Sequence, residues 1–349
     1  MDNIERAPHA LTYTRASTGV IELNRPKALN AIDFEMVEII SAALEEWRED
    51  PEVHRVVLIS GSERAFCAGG DIKLVRDKAV AGDHDWGDRF LQLEYTMNAQ
   101  IANFPKPYVS VINGVVMGGG LGLSVHGSHR VISEKVVAAM PEVAIGFVPD
   151  VGVSYMSLNV ESHEGRPLPA VAKFIGVTGY RLSPADLLFT GLATHFVPSG
   201  NITDFSAMVI AESIDEALEK YAEPFEEASQ LKRFLPEIED CFGHDTWEEI
   251  EAALEACENA EFVDLVRENM SNANPASVVA TTELYTANEQ AVSLEKGLHN
   301  EYAIGSVLRR QPNFVEGVRA VLVDKDRNPQ FTPERASHVD PTQYREVLS

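Results

Sequence analysis

Two glycine-containing segments in the first 120 residues could bind an anion or a carbonyl oxygen. One is residues 66–71, with the sequence FCAGGD, and the other is the run Gly118-Gly119-Gly120. Each follows a short apolar run of the kind that forms a buried strand. Glycine lets a backbone approach a ligand closely, and amides at the start of a helix lack a partner within the helix. Tight turns that need small residues for packing would look the same, so both interpretations stay open.

Known phosphate-binding loops do not fit the second segment. A dinucleotide-binding G-x-G-x-x-G pattern requires a glycine three positions after Gly120, where the chain has Leu123, and a G-K-[ST] sequence is absent. The nucleophile pattern G-x-S-x-G comes close around Ser124, but its last glycine is displaced by one position to Gly127. Ser124 is therefore predicted to be a helix residue and not a nucleophile.

Two carboxylates that follow the second segment could act as acid and base. Glu142 lies in the mostly apolar stretch 138–147 (AAMPEVAIGF), and Asp150 lies in the turn-like sequence 149–152 (PDVG). A carboxylate in apolar surroundings is costly to bury unless it is paired or has a function. Two carboxylates on opposite sides of one turn could face a shared cleft and divide acid and base roles. Alternatively, Asp150 could cap a helix and Glu142 could accept a hydrogen bond from a backbone amide.

These residues lie in a part of the chain where predicted strands alternate with predicted helices, which predicts an α/β class with a parallel sheet. Beyond residue 200 the pattern is helical with acidic faces. We therefore predict a catalytic core over residues 1–200 and a mostly helical region over residues 201–349 that completes or covers the site. The predicted strands are a pair within 12–23, then 55–60, 108–116, 130–132 and 136–139, and the predicted helices are 34–48 with Asp33 as N-cap, 88–103 and about 120–125.

The composition limits the partners and the compartment. The 349 residues include 29 basic and 54 acidic side chains, which gives a net charge of −25. Such a field repels nucleic acid and anionic membranes, so we expect neither as a partner. The three cysteines show no CxxC spacing, which indicates a reducing compartment and no cysteine-rich metal site. The N-terminus is acidic where a leader would be basic, and we expect a cytoplasmic protein.

Three motifs together resemble the crotonase (enoyl-CoA hydratase/isomerase) superfamily. They are residues 24–31 (NRPKALNA), residues 66–71, and the pair Asn113-Gly114 that leads into the glycine run. The resemblance covers about residues 10 to 200 and implies a crotonase-like core of ββα units wound into a superhelix. In that family two backbone amides hold the thioester oxygen of an acyl-CoA. Carried over to this sequence, the oxyanion-hole residues are Ala68 and Gly119.

One position departs from the hydratase pattern. A hydratase carries a catalytic glutamate just after the glycine run, and this chain has Gly122 there. The second hydratase glutamate is retained as Glu142. Hydration divides its proton transfers between two carboxylates, so the loss of one disfavours ordinary hydratase activity.

The chain is more similar to the 3-hydroxyisobutyryl-CoA hydrolase branch, over nearly its whole length. The resemblance implies hydrolysis of a short branched 3-hydroxyacyl-CoA, with 3-hydroxyisobutyryl-CoA of valine catabolism as the expected substrate. The branch's substrate contacts correspond to Glu94, Gly119, Glu142 and Asp150. The matching segments are 94–95, 106–108, 117–120, 123–127, 140–142, 149–152, 192–195, 274–277, 316–320 and 324–326.

The resemblance also implies roles for the acidic residues. Glu142 would attack the thioester or activate water, Asp150 would bind the 3-hydroxyl or assist departure of the thiolate, and Glu94 would line the acyl pocket. Coenzyme A is expected as part of the substrate, with no tightly bound cofactor and no metal. Trimers are common among crotonase relatives, so a homo-oligomer is an expected state. The residues expected to contact coenzyme A are Lys27, Ala28, Lys73 and Arg76.

Three other functions stay open. An enoyl-CoA hydratase is disfavoured by Gly122. A dienoyl-CoA isomerase also spaces a glutamate and an aspartate like Glu142 and Asp150, but it usually has an acid at the position of Gly122 and lacks the long C-terminal part. A non-catalytic acyl-CoA-binding protein would not need to retain both carboxylates.

Overall fold

The computed structural model describes residues 7–62 and 64–348, which divide into two units that alternate along the chain. The first unit contains the described residues up to Gly70, then Thr96–Val136 and Ala193–Pro224. The second contains Asp71–Tyr95, Val137–Leu192 and the described residues from Phe225 onwards. Neither unit coincides with the predicted regions 1–200 and 201–349, and that division of the chain stays a prediction.

A six-stranded mixed sheet forms the centre of the first unit. Its first two strands are antiparallel and every other neighbouring pair is parallel. The third and fourth strands are rich in branched apolar residues, as expected for strands that are covered on both faces. In their order across the sheet, the strands are Ala10–Arg15, Thr18–Leu23, Arg55–Ser60, Tyr108–Ile112, His129–Ile132 and His195–Phe196.

Helices cover this sheet with apolar faces. The predicted helix after Asp33 is confirmed as Phe34–Glu49, and the Asp33 carboxylate accepts a hydrogen bond from the Met36 amide at 3.1 Å. Phe205 lies in another helix, Ile202–Ala211, and belongs to a buried cluster that includes five valines from the sheet strands. The unit also contains the helices Gly119–Ser124 and Ile214–Tyr221, the last part of His84–Ala102, and the 3-10 helices Pro26–Ala28 and Ser199–Asn201.

The predicted strand 108–116 is two strands in the structure. The chain leaves the large sheet after Ile112, turns at Gly114, whose φ is 98°, and continues as the strand Val115–Met117. This short strand pairs in parallel with Ala65–Cys67. The first glycine segment begins within Ala65–Cys67 and continues beyond it, and the second follows directly after Val115–Met117.

The second unit is mostly helical, and the predicted helical C-terminal part is confirmed. The chain contains both a sheet with parallel strand pairs and many helices, which confirms the predicted α/β class. Its short strand Val137–Ala139 forms an antiparallel bridge from Ala138 to Leu182. In the part of the chain that the structure describes, no helix combines the length and apolarity needed to cross a membrane. The α-helices are Ile72–Val80, the first part of His84–Ala102, Val153–Asn159, Pro169–Thr178, Pro184–Thr190, Gln230–Arg233, Leu235–Phe242, Trp247–Ala256, Ala260–Asn269, Pro275–Glu289, Leu294–Arg309, Pro312–Val318 and Thr342–Leu348, with 3-10 helices at Glu142–Ile145 and Ala336–His338 and a π-helix at Arg319–Val323.

Candidate active site

The two glycine segments of the first unit pack directly against each other. A Cβ atom at Gly69 would lie 3.1 Å from the Met117 carbonyl oxygen, and the φ of Gly69 is 98°. A Cβ atom at Gly120 would lie 2.5 Å from the Cys67 carbonyl oxygen. Any other residue at these two positions would push the segments apart, so close approach of the two backbones requires glycine there.

Asn30 connects the motif at residues 24–31 to the first glycine segment. Its buried side-chain amide donates to the Phe66 carbonyl at 2.9 Å and to the Ser60 hydroxyl at 2.8 Å. Asn30 has a φ of 56°, a left-handed conformation that asparagine tolerates better than most residues. This motif therefore fixes the position of the segment that follows Phe66.

The amide of Ala68 does not fit the oxyanion-hole role expected for it. Its N–H donates to the Leu29 carbonyl at 2.9 Å, so the single donor of that peptide is already used. The Gly69 carbonyl accepts from the Ile32 amide at 2.8 Å. Because the C=O and the following N–H of a trans peptide point in opposite directions, the Gly70 N–H points away from Ile32. Among the described residues this N–H has no hydrogen-bond partner.

Gly119 is the first residue of the helix Gly119–Ser124, directly after Gly118, whose φ is 45°. The first amides of a helix have no carbonyl one turn earlier within the helix. The structure therefore presents two backbone donors at the ends of the paired strands, Gly70 and Gly119, where the sequence predicted Ala68 and Gly119. Ala68 is corrected to Gly70 because the Ala68 N–H is bonded to the Leu29 carbonyl, whereas the Gly70 N–H has no partner among the described residues.

The two carboxylates predicted to act as acid and base are both buried in the second unit, where Glu142 is 7% exposed and Asp150 is 6% exposed. Glu142 is the first residue of the 3-10 helix Glu142–Ile145, and its Oε2 has no hydrogen-bond partner among the described residues. Asp150 precedes the helix Val153–Asn159 but does not cap it with its side chain. Instead its Oδ2 accepts a hydrogen bond from the Tyr95 hydroxyl at 2.7 Å. Helix capping therefore does not explain why the Asp150 carboxylate is buried.

Glu94 is the third carboxyl group of this cluster. It precedes Tyr95 in the helix His84–Ala102, is 2% exposed, and has a buried Oε1 without a hydrogen-bond partner in the described chain. Burial raises the pKa of Glu94 well above its usual range, and the negative charge of Asp150 raises it further. The structure therefore brings Glu94, Glu142 and Asp150 close enough for their charges to interact, and their roles toward a substrate stay predictions.

Burial controls the protonation of the other two carboxyl groups as well. It raises the pKa of Glu142 well above the usual value, and the charge of Asp150 adds to this effect. Burial also raises the pKa of Asp150, to about 7, although the hydrogen bond from Tyr95 favours the ionised form. A carboxyl group that titrates near neutral pH can both release and accept a proton during a reaction.

Sequence reasoning gave no role to Tyr95 and missed Glu301. Glu301 lies in the helix Leu294–Arg309, is fully buried, and accepts hydrogen bonds from residues 152 and 154. Burial raises its pKa to about 8. One signal was present in the sequence, because Glu301 interrupts an apolar stripe formed by Leu298, Ile304 and Leu308 at helical spacing. No local pattern places this stripe beside Asp150.

The residues expected to contact coenzyme A differ in their exposure to solvent and in their charge pairing. Lys27 and Lys73 are exposed to solvent, and Ala28 is half-buried. Arg76 forms an ion pair with Asp77 at 2.9 Å, so its charge is already partly neutralised. Contact with coenzyme A stays a prediction for these four. Within residues 7–62 and 64–348, no group of three His, Cys, Asp or Glu side chains is arranged to hold a metal ion.

The chain is similar in sequence to known proteins over most of its length. A family model described as enoyl-CoA hydratase/isomerase matches residues 18–348. A mitochondrial 3-hydroxyisobutyryl-CoA hydrolase of Xenopus laevis is 38% identical over 332 residues, which cover 92% of this chain and 83% of that protein. The corresponding protein of Gallus gallus is 36% identical over 346 residues, which cover 96% and 87%.

Two solved structures are similar over almost the whole chain. A carnitinyl-CoA dehydratase from Mycobacterium thermoresistibile has a TM-score of 0.89 and 34% identity, covering 98% of this chain and 96% of that one. An enoyl-CoA hydratase from Rhodobacter sphaeroides 2.4.1 has a TM-score of 0.86 and 36% identity, covering 98% and 97%. These similarities confirm the predicted crotonase-like fold.

Proposed function

The chain belongs to the enoyl-CoA hydratase/isomerase family, and we propose that it hydrolyses 3-hydroxyisobutyryl-CoA to 3-hydroxyisobutyrate and coenzyme A, a step of valine breakdown. The observation that carries the proposal is the buried pair Glu142 and Asp150 in a chain that has Gly122 where a hydratase has an acid. Glu142 and Asp150 offer a nucleophile or base and a separate acid, which thioester hydrolysis requires. Relatives named as hydrolases of this ester, alike over most of the chain, support the same reaction.

The backbone donors stabilise the charge that develops on the thioester oxygen. We assign this role to the amides of Gly70 and Gly119, because both N–H groups follow the paired strands and neither has a hydrogen-bond partner among the described residues. A preorganised donor of this kind contributes roughly 3–4 kcal/mol to stabilising the transition state. Backbone amides do not titrate, so this contribution is independent of pH.

Glu142 begins the reaction in one of two ways. As a nucleophile, its carboxylate attacks the carbonyl carbon, the C–S bond breaks, and water then cleaves the mixed anhydride. As a general base, it takes a proton from water while the water oxygen attacks the same carbon. Both routes end with the carboxylic acid and free coenzyme A, and both need Glu142 in its ionised form.

Asp150 and Glu94 serve the leaving group and the acyl group. Asp150, with a pKa of about 7, can give a proton to the departing thiolate or accept a hydrogen bond from the 3-hydroxyl. Glu94, whose burial favours the neutral form, can donate a hydrogen bond to an oxygen of the substrate. A site built to bond a hydroxyl group rejects analogues that lack it, because buried polar groups are then left without a partner.

Release of free thiol from 3-hydroxyisobutyryl-CoA, measured beside hydration of crotonyl-CoA, tests the proposal. We expect rapid thiol release from the first ester and little hydration of the second. Isobutyryl-CoA, which lacks the hydroxyl group, is the matched substrate and should be cleaved more slowly. Hydration of crotonyl-CoA without thiol release would indicate a hydratase, and binding of both esters without reaction would indicate a non-catalytic protein.

The compartment and the assembly stay predictions. The names of the two hydrolases above include the word mitochondrial, which describes those proteins. Fractionation of the native cell tests the cytoplasmic prediction, and light scattering of the purified protein tests the homo-oligomer.

A further inference from the structure

The turn that follows Asp150 has a strained backbone. Val151 has a φ of 56° and Gly152 has a φ of 79°, so two consecutive residues adopt the left-handed conformation. Glycine accepts this conformation, but a β-branched valine rarely does, because its side chain crowds the backbone. Such a conformation persists only where surrounding interactions hold it in place. The Val153 amide closes the turn by donating to the Asp150 carbonyl at 3.0 Å, and contacts from elsewhere in the unit add to this single local bond.

Glu301 supplies these contacts from a helix far along the chain. Its Oε2 accepts a hydrogen bond from the Gly152 amide at 2.7 Å. Its Oε1 accepts from the Ser154 amide at 3.2 Å and from the Ser154 hydroxyl at 2.5 Å. The side chain is fully buried, so water does not compete for these three donors. One carboxyl group thus bonds Gly152 and Ser154, on the C-terminal side of the strained valine.

Two asparagines determine the direction of these hydrogen bonds. The Asn288 side-chain amide donates to the Ser154 hydroxyl at 2.6 Å, so the hydroxyl proton is directed to Glu301. Asn288 in turn accepts a hydrogen bond from the side-chain amide of Asn300 at 2.8 Å. The chain of donors ends on Glu301, whose two carboxyl oxygens accept the hydrogen bonds from Gly152 and Ser154. Glutamine at this position would place an NH₂ group against at least one donor.

We propose that Glu301 is a positioning residue for thioester hydrolysis, because it holds the Val151–Gly152 turn and thereby orients the Asp150 carboxyl group for its step. This inference rests on the proposed function. Glu301 makes its bonds to the backbone after Asp150, so its effect reaches the substrate through Asp150.

The titratable groups that face Glu301 also link it to the pH dependence of the reaction. Its charge raises the pKa of Glu142, of Tyr95 and of Tyr285, and the charge of Asp150 raises the pKa of Glu301. Removal of this carboxyl group therefore makes ionisation of Glu142 easier. The acid limb of the pH–rate profile, which reports the ionisation of Glu142, should move to lower pH.

Glu301→Gln and Glu301→Asp separate position from charge. For Glu301→Gln we expect kcat to fall by roughly 10²-fold, as for a small misplacement of a reacting group, with KM within about threefold of the wild-type value and the acid limb at lower pH. Glu301→Asp keeps the charge but shortens the side chain. It should also lose kcat, with the acid limb at the wild-type position.

Asp186→Asn is the matched control, because Asp186 is also a buried carboxylate that accepts hydrogen bonds from backbone amides, those of Ser183 and Leu231. It is expected to lower the melting temperature without changing kcat or the pH profile. Wild-type kcat and pH profile in Glu301→Gln would refute the inference, as would equal kinetic changes in Asp186→Asn.

If Glu301→Gln does not fold, Ser154→Ala removes one donor and keeps the carboxyl group. It should lower kcat in the same direction by a smaller factor, and wild-type kinetics in that variant would equally refute the inference. Absence of thioester cleavage by the wild-type protein would instead refute the proposed function.

Discussion

The candidate catalytic groups of the two units are of different chemical kinds. In the first unit, the donors are backbone amides placed by two glycine segments whose strands are paired. In the second unit, the groups are carboxyl side chains that come from positions as distant as Glu94 and Asp150. Amides stay neutral at every pH, whereas burial raises the pKa of each of these carboxyl groups above its usual value, that of Asp150 to about 7. We therefore expect the first unit to contribute rate without pH dependence and the second to contribute both.

The two sets also differ in their cost to the fold. Backbone donors at a helix start are present in any helix, and glycine adds only a modest entropic penalty. Burial of several neighbouring carboxyl groups is unfavourable, because each loses its hydration and repels the others. The acidic cluster therefore makes the fold less stable than it would be with apolar residues at these positions, as is usual for active sites.

The largest expected effect comes from Glu142→Gln. Because glutamine can neither attack the thioester nor accept a proton from water, kcat should fall by roughly 10²–10⁴-fold or more, with binding of the ester largely intact. Thiol release and calorimetric binding of the ester measure the two quantities. Glu283→Gln changes another buried glutamate of the same unit, one that is paired with Arg345, and is expected to leave kcat near the wild-type value. Near-normal turnover of Glu142→Gln would remove the acidic cluster from the mechanism.

Gly69→Ala tests the amides of the first unit and ranks second. Alanine at a φ of 98° is strained, and its Cβ would press on the Met117 carbonyl, so the neighbouring donors are displaced. We expect kcat to fall by roughly 10²-fold, comparable with the loss of one oxyanion donor, while the pH–rate profile keeps its shape. Gly165→Ala is the control, because Gly165 also has a positive φ, but a Cβ atom there would meet no described residue other than its chain neighbours within 4 Å. A shifted pH profile in Gly69→Ala would contradict the separation of the two units' roles.

Tyr95→Phe should have a smaller effect on rate and a clear effect on pH dependence. Its hydroxyl bonds Asp150 and favours the ionised carboxylate, so its removal raises the pKa of Asp150 above about 7. The limb of the pH–rate profile that belongs to Asp150 should move to higher pH. We expect kcat to fall about tenfold, the low end of the range for a hydrogen bond to a charged group.

A matched tyrosine provides the control for this variant. Tyr180 bonds the carboxyl group of Asp186 at 3.3 Å within the same unit. Tyr180→Phe should leave the pH–rate profile in place. If both variants shift it equally, the effect is not specific to Asp150.

The sequence predicted the parts of the site that depend on local structure. The helix cap at Asp33 and the two glycine segments are features of a few consecutive residues, and the structure has them where they were expected. The choice between the amides of Ala68 and Gly70 was wrong because it depends on pairing. The hydrogen bonds to Leu29 and Ile32 determine which N–H faces outward.

The residues that the sequence analysis missed depend on packing over long distances. Glu301 reaches the turn after Asp150 only because the helix Leu294–Arg309 lies against that turn. One acidic residue within an apolar stripe does not indicate which residue it contacts. Tyr95 is adjacent to Glu94, which was identified by resemblance, but its bond to Asp150 joins two separate segments. The acidic cluster is therefore less predictable from the sequence than the amides, because its members come from segments that are far apart along the chain.

The smallest expected effect is a change in stability from Glu94→Gln. The folded-state pKa of Glu94 lies above that of the unfolded chain, so its neutral form favours folding. This contribution is complete below about pH 4.3 and is lost as the pH rises through the folded-state pKa. Glutamine stays neutral, so the stability of Glu94→Gln relative to the wild type should increase with pH, by up to about 1.4 kcal/mol for each unit of the shift.

Denaturant unfolding at several pH values measures this difference. Glu248→Gln, on the exposed surface, controls for the loss of one negative charge. A relative stability of Glu94→Gln that is constant across the pH range would mean that Glu94 ionises in the fold as easily as in the unfolded chain. The acidic cluster would then carry no stability cost at that position, and the contrast with the amides of the first unit would rest on the remaining carboxyl groups.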